Sequence, residues 1–472
     1  MSESPVDSVR EFYRGRHVFF TGATGMLGTA YLSRLILDTP VERVYALVRG
    51  GESRLWATWG NSSPSDMLDA LRTSEKLTVM EGDITRPAGG LSQADVKMIH
   101  DNVSIFIHGA STINLQKPLL EIGREVVNPS LALAGMALGC AKLTQFVYIS
   151  TAYASTFLRQ TTDGGLEGSD ATIAENINQI RHDPSRSAED ELSDLNTLGS
   201  TPEYESVEFP FPYSYGKHLA ERLILRRFHE AGLDKNVLIF RPSCIGPAES
   251  RPHAFYEIPG SSPGTTFFGA LMALPPTKFT FSTTLTDPGA ATLDETPVDM
   301  LVNRLIVHVA RGSNGCVHAV AGIKGEQNIE AIIQAASEFR RSWWGRPELV
   351  WTHDHWKSDK QSALAKLSVI LGSSFAFDES KTERIWDTMS EYEQSIWPLW
   401  PLRNLSLYES GIGRQEAAMA ITDRIIARQY RLPKSFVRLF YKGATPSQKD
   451  DIAVCSLDRS SGISGERTSS KL

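Results

Sequence analysis

The stretch His17–Leu37, HVFFTGATGMLGTAYLSRLIL, decides the fold. A short apolar run is followed by three glycines, Gly22, Gly25 and Gly28, and then by apolar residues at helical spacing. That order predicts a strand, a tight turn and a helix. Glycine lets the backbone turn sharply and lets main-chain N–H groups approach a pyrophosphate at the positive end of the helix that follows. The spacing is GxxGxxG, and its place directly between strand and helix favours a dinucleotide site over a simple helix-starting turn.

Outward from this stretch the pattern repeats. Strands are predicted at RVYALVRG (43–50), LTVMEGDI (77–84), VSIFIHGAS (103–111) and QFVYISTAY (145–153), with helical or polar segments between them. After the helix YSYGKHLAERLILRRFHEAGL (213–233) comes the strand VLIFRPS (237–243). Strands alternating with helices imply an α/β, Rossmann-like fold with a doubly wound parallel sheet. Residues 155–208 are polar and without clear periodicity, and read as an insertion over the C-terminal edge of the sheet, where loops shape substrate sites. From about Arg340 the composition shifts to tryptophan-rich segments, RRSWWGRPELVWTHDHWKSDK and IWPLWPLRN, and RQEAAMAITDRIIARQYRL reads as an amphipathic helix. The expected division is an N-terminal extension at 1–14, a dinucleotide-binding domain at 15–345, a smaller helical C-terminal domain at 346–442 and a polar tail at 443–472.

Bulk properties narrow the function. The chain has 472 residues and a net charge of −7, which argues against a phosphate-tracking nucleic-acid surface. Its four cysteines, Cys140, Cys244, Cys316 and Cys455, show no paired spacing, so neither a disulfide framework nor a metal site is expected. The N-terminus MSESPVDSVREFYRGR is polar, unlike a signal sequence, and no apolar run is long enough to span a bilayer; a soluble protein is expected.

Cofactor identity is read at the end of the second strand, where NAD-binding proteins carry an acid for the ribose diol. Here the strand ends LVRG, and the guanidinium of Arg49 suits a 2′-phosphate, so NADPH (NADP) is expected. Asp83 and Ile84, after the third strand, are placed beside the adenine. A second constellation carries the chemistry. VYISTAY ends a strand with Ser150 and Thr151, and PFPYSYGKHLAE opens a helix with Tyr213 and Lys217 four residues apart, on one helical face. A phenol beside an ammonium is expected to have its pKa lowered and to serve as a proton donor. Tyr215, two residues from Lys217, faces elsewhere.

The order TGATGMLG, LVRG, GDI, ISTAY, YSYGK and FRPSCIGP resembles the extended short-chain dehydrogenases/reductases. Within them ISTAYAS, the later RPSCIGP and PGTTFFGAL, and ETPVDMLVN are similar to the fatty acyl-CoA reductases, also called male-sterility proteins, and to their thioester-reductase relatives. The likeness covers roughly residues 15–345, and more weakly FAFDESKTERIWDTMS. It implies Thr151, Tyr213 and Lys217 as the catalytic set. It implies cofactor contacts from Gly22, Thr24, Gly25, Met26, Leu27, Gly28, Arg49, Asp83, Ile84 and Ala110, with Tyr213 and Lys217, and a supporting role for Asn128 in REVVNPS. Met26 stands where the family usually has an aromatic residue, and a C-terminal membrane segment like that of many animal members is not expected. The implied reaction is reduction of an acyl-CoA thioester by NADPH, releasing coenzyme A, to the aldehyde and on to the alcohol. Two other readings stay open: another extended-reductase activity, such as nucleotide-sugar epimerisation or hydroxysteroid oxidation, and a non-catalytic NADP-sensing regulator.

The polar tail closes on Ser470-Lys471-Leu472, the tripeptide read by the peroxisomal import receptor. A peroxisomal location is therefore expected, with that receptor as a partner.

Overall fold

A computed structural model of the chain describes residues 6–159, 172–180, 183–207, 209–273, 278–283, 285–322, 326–338, 348–354, 358, 369–401, 414, 417–418 and 421. The tail with Ser470, Lys471 and Leu472, and most of the helix expected at 414–432, lie outside the described residues.

Twelve strands are described: β1 (His17–Thr21), β2 (Arg43–Val48), β3 (Leu77–Glu81), β4 (Ile105–His108), β5 (Gln145–Ile149), β6 (Val237–Pro242), β7 (Cys244–Gly246), β8 (Lys278–Ser282), β9 (Thr292–Pro297), β10 (Gly315–Ala319), β11 (Glu326–Asn328) and β12 (Glu348–Thr352). Seven form one parallel sheet in the order β10-β6-β5-β4-β1-β2-β3. The sequence reading found six of these strands. It missed β10, GCVHA, a short segment whose cysteine and histidine hide the apolar run that burial demands.

Because successive side chains of a strand alternate in direction, β1 feeds both faces of the sheet. Val18 and Phe20 join one core with the helices Met26–Asp38 and Val298–Ala310. Phe19 joins the other, its ring 4.6 Å from that of Phe106, with the helices Asn128–Leu138 and Pro212–Glu230. The chain runs outward from β1 to β2 and β3, then returns to place β4 on the other side of β1. That reversal opens a crevice beyond the C-terminal ends of β1 and β4, the place where doubly wound sheets bind ligands.

The insertion is more regular than its sequence suggests. Two helices, Ala188–Leu198 and Pro202–Ser206, lie between 183 and 207, the first opened by a reciprocal cap between Ser187 and Asp190. Its inward face is narrow and partly polar: Glu191 is buried and accepts from Arg222 at 2.6 Å. A face made of one leucine and one paired glutamate leaves little hydrophobic period to read.

Described residues after 345 pair and pack with residues before it. Strand β12 pairs in parallel with β8, so this two-stranded sheet straddles residue 345. Farther on, Trp397 is fully buried against the helix Met26–Asp38, with the Arg34 guanidinium 4.4 Å over its ring and its indole N–H donating to Asp7 at 3.0 Å. Among the described residues no helix is long and apolar enough to cross a membrane.

Candidate active site

A cavity of about 1510 Å³ follows the C-terminal ends of the sheet strands. Its first wall is the glycine loop, Gly22 to Gly28. Gly22 has φ +94°, and a Cβ there would lie 2.8 Å from the carbonyl carbon of Gly109, so only glycine lets the turns after β1 and β4 touch. A Cβ on Gly28 would fall 2.1 Å from the Gly22 carbonyl oxygen. The helix Met26–Asp38 starts from Gly25, and no side chain caps it. Its first-turn N–H groups therefore have no intrahelical or capping acceptor, and they border the cavity through Met26, Leu27 and Gly28. This suits a pyrophosphate, and the residues present fit a dinucleotide.

The turn after β4 is pinned by a buried relay that the sequence reading missed. The N–H groups of Gly109 and Ala110 donate to the Thr21 hydroxyl at 3.2 and 3.1 Å. The Ser130 hydroxyl donates to the Val126 carbonyl at 2.6 Å and so accepts from His108 Nε2 at 3.0 Å. Nδ1 of His108 is then the acceptor for the Thr21 hydroxyl at 2.8 Å. Burial, aided by the nearby Lys217 charge, pushes the His108 pKa down to about 3, so the ring stays neutral. Its only sequence signal is a polar residue ending an otherwise apolar strand.

At the far end of the loop wall stand Arg49, Asp83 and Ile84. Arg49 is 69% exposed, its guanidinium 3.9 Å from the Asp83 carboxylate. The hydrogen bond from the Thr85 N–H, with help from the Thr85 hydroxyl, holds Asp83 below its ordinary pKa against the opposing effect of burial. Arg54 lies beside it, donating to the Arg49 carbonyl at 3.2 Å and lining the same cavity. The sequence reading missed Arg54; its signal was the five-residue spacing from Arg49 into a new helix.

Thr151, Tyr213 and Lys217 meet at the other end, all on the cavity wall with Ala110. Lys217 is buried, donates to the Ile149 carbonyl at 2.8 Å, and sits 4.6 Å over the Tyr148 ring and 5.7 Å from the centre of the Tyr213 ring. Burial pushes its pKa down to about 7, while Glu221 one turn along opposes the fall. Tyr213 corrects one expectation. Its pKa is not lowered; burial pushes it up to about 12, and the one opposing contribution comes from the Ser111 hydroxyl. The ammonium lies over the ring rather than at the phenol oxygen and is committed to Ile149, so desolvation wins. Thr151 accepts from the Tyr153 N–H at 3.3 Å, and its O–H has no protein acceptor among the described residues.

Tyr215, in the same helix, is fully buried on the opposite side, donating to Glu191 at 2.8 Å and sharing a hydrogen bond with Thr201 at 2.6 Å. Asn128 is absent from the cavity wall. It starts the helix Asn128–Leu138 and donates to Asn196 of the insertion at 2.8 Å, so it joins two elements outside the site.

Comparisons with known proteins agree with this geometry. The sequence profile of the male sterility protein family matches residues 20–305. Fatty acyl-CoA reductase 1 of Xenopus laevis is 27% identical over 306 residues, which is 63% of this chain and 55% of that one. Fatty acyl-CoA reductase 1 of Homo sapiens is 27% identical over 304 residues, again 63% and 55%. The match thus spans about half the length of these relatives. Among solved structures, the reductase domain of a nonribosomal peptide synthetase from Mycobacterium tuberculosis has a TM-score of 0.56 at 18% identity, covering 89% of this chain and 97% of that one. The terminal R domain of the myxalamid biosynthetic pathway gives 0.55 at 19%, covering 88% and 91%. These likenesses establish the fold.

Proposed function

The chain belongs to the male sterility protein family, and from that premise we propose that it reduces a fatty acyl-CoA thioester with NADPH, releasing coenzyme A, to the aldehyde and then to the primary alcohol. One observation carries the reading. Thr151, Tyr213 and Lys217 line the same cavity as an uncapped glycine-loop helix and two guanidinium groups.

When bound, NADPH supplies a hydride for the carbonyl carbon. The loop helix would hold its pyrophosphate, and Arg49 and Arg54 its 2′-phosphate. Thr151 has an O–H to give, and it stabilises the negative charge that develops on the carbonyl oxygen. Tyr213, protonated at neutral pH because its pKa is near 12, donates the proton to that oxygen. Lys217 supports the phenolate left behind. Its ammonium lies 5.7 Å from the centre of the phenol ring, and burial pushes its pKa down to about 7, in range of proton exchange near neutrality. Hydride on carbon and this proton on oxygen give a hemithioacetal; as it collapses the C–S bond breaks, its hydroxyl proton passes to the departing thiolate and coenzyme A leaves. Tyr213, reprotonated, then serves as the acid again when the aldehyde is reduced with a second NADPH.

The test is incubation of the purified chain with NADPH and a panel of acyl-CoAs, with products identified by mass spectrometry. Aldehyde followed by alcohol, with free coenzyme A, is expected. Absence of any reduction, or equal use of NADH, overturns the reading. The peroxisomal address in Ser470-Lys471-Leu472 is part of this proposal and rests on the sequence alone. Removing the tripeptide should leave activity unchanged and turn a punctate distribution in cells cytosolic; puncta that persist would refute it.

A further inference from the structure

The cavity wall has two unlike stretches. One is formed by Ile113, Asn114, Leu115, Gln116, Lys117 and Glu125, with Lys117 paired to Glu125 and 3.8 Å from Glu121. The other, a second limb, lies between β7, the helix Pro263–Ala273 and the short turn Val369–Gly372. The residues the helix turns to the cavity are Pro263, Thr266, Phe267 and Ala270. Their spacing of three, four and seven is that of a single helical face. Facing them are Ile370 and Leu371. None of these six carries a charge.

We infer that this second limb takes the acyl chain of the substrate, and that Ala270 sets how long a chain fits. The inference rests on the proposed thioester reduction. At about 1510 Å³ the cavity exceeds the roughly 300–1,000 Å³ of an ordinary small-ligand pocket, so it has room for a second ligand beside a dinucleotide. Coenzyme A carries phosphates, and burying them against an uncharged apolar wall would be costly. Its place is therefore the stretch with Asn114, Gln116 and Lys117, which directs the acyl chain into the other limb. There each buried methylene gains roughly four-fold in affinity.

The wall is held firmly enough to measure length. The far side of the helix is fixed at Gly269, where a Cβ would lie 3.2 Å from the Ala418 carbonyl, and at Gly264, where it would meet Glu295 and Arg414. Glu295 and Arg414 form a buried ion pair behind it. Phe267 is wedged against Phe281, ring centres 6.0 Å apart, and is 5% exposed. Ala270 is the smallest side chain on the cavity face and is only partly buried, so it is the position on this face where added volume would narrow the cavity most.

The experiment measures kcat/KM for octanoyl-, dodecanoyl- and hexadecanoyl-CoA with the unaltered chain, Ala270→Val and Ala270→Phe. Ala270→Phe should lose on the order of ten-fold or more for hexadecanoyl-CoA while keeping octanoyl-CoA within about two-fold, with Ala270→Val between. An equal loss at all lengths, or no loss, overturns the assignment. If Ala270→Phe does not fold, as judged by NADPH binding, the smaller Ala270→Val decides. Calorimetric binding of hexadecanoic acid separates this inference from the reaction. If the unaltered chain binds the acid, Ala270→Phe binds it at least ten-fold more weakly, and no acyl-CoA is reduced, the limb stands and the proposed reaction falls. If acyl-CoAs are reduced but neither variant changes the length profile, the reaction stands and the limb falls.

Discussion

The wall proposed for the cofactor is made of backbone and the wall proposed for the acyl chain of side chains. On the first, what matters is that Gly22 reaches Gly109, that Gly28 reaches Gly22, and that helix N–H groups are left open. On the second, what matters is the volume of Phe267, Ala270 and Leu371. A backbone wall tolerates one residue type, because any Cβ collides. An apolar wall tolerates many, because aliphatic and aromatic side chains exchange with modest cost if volume is kept. The first kind of site leaves its mark in the sequence and recognises a constant ligand. The second leaves almost none and is free to change with the substrate.

Four measurements bear on this contrast. Tyr213 stands where the two sides meet, and Tyr213→Phe should lower kcat by about 10³-fold. NADPH affinity, followed by nicotinamide fluorescence, should stay within about two-fold; a matching loss of binding would place Tyr213 in the cofactor wall alone. Arg49 is the side-chain exception on the backbone side. Arg49→Ala should weaken NADPH by about 1–3 kcal/mol, the range of a charge-assisted contact, with little effect on NADH. Equal weakening of both cofactors would remove the 2′-phosphate from its role.

The third concerns pH. Burial pushes Lys217 down to about 7 and Tyr213 up to about 12, so the unliganded protein loses the ammonium first as pH rises. Accordingly kcat/KM should fall about ten-fold per unit above a break near pH 7. Lys217→Arg keeps its charge and should shift that break upward whatever its absolute rate. A break that stays near 7 would assign it to another group. The smallest effect is expected at Tyr215→Phe. It removes hydrogen bonds to Glu191 and Thr201 and should cost about 1–3 kcal/mol of stability, read from denaturant unfolding, while kcat changes less than two-fold.

What could be read in advance follows the same division. The glycine loop, five strands beyond β1 and the Tyr213–Lys217 spacing were legible, because turn geometry and helical period constrain residue type strongly. The relay of His108, Thr21 and Ser130 was not: its members lie 22 to 109 residues apart and each alone is an ordinary core polar residue. Arg54 was hidden because a basic residue on a helix is usually a solvated one. Tyr213's high pKa was misjudged because spacing reports that two groups share a face, and desolvation depends on everything else packed around them.

Trp397 sets an order on how this protein comes into being. It closes over the helix that follows the glycine loop, and ties Arg34 to Asp7 across the start of the chain. That helix ends at Asp38, roughly 360 residues before its cover, which is about 20–70 s of translation at 5–20 residues per second. The nucleotide loop is thus among the first parts to leave the ribosome and among the last to be completed. Until then Arg34 has neither the Trp397 ring nor the Ile396 carbonyl that it meets in the finished fold.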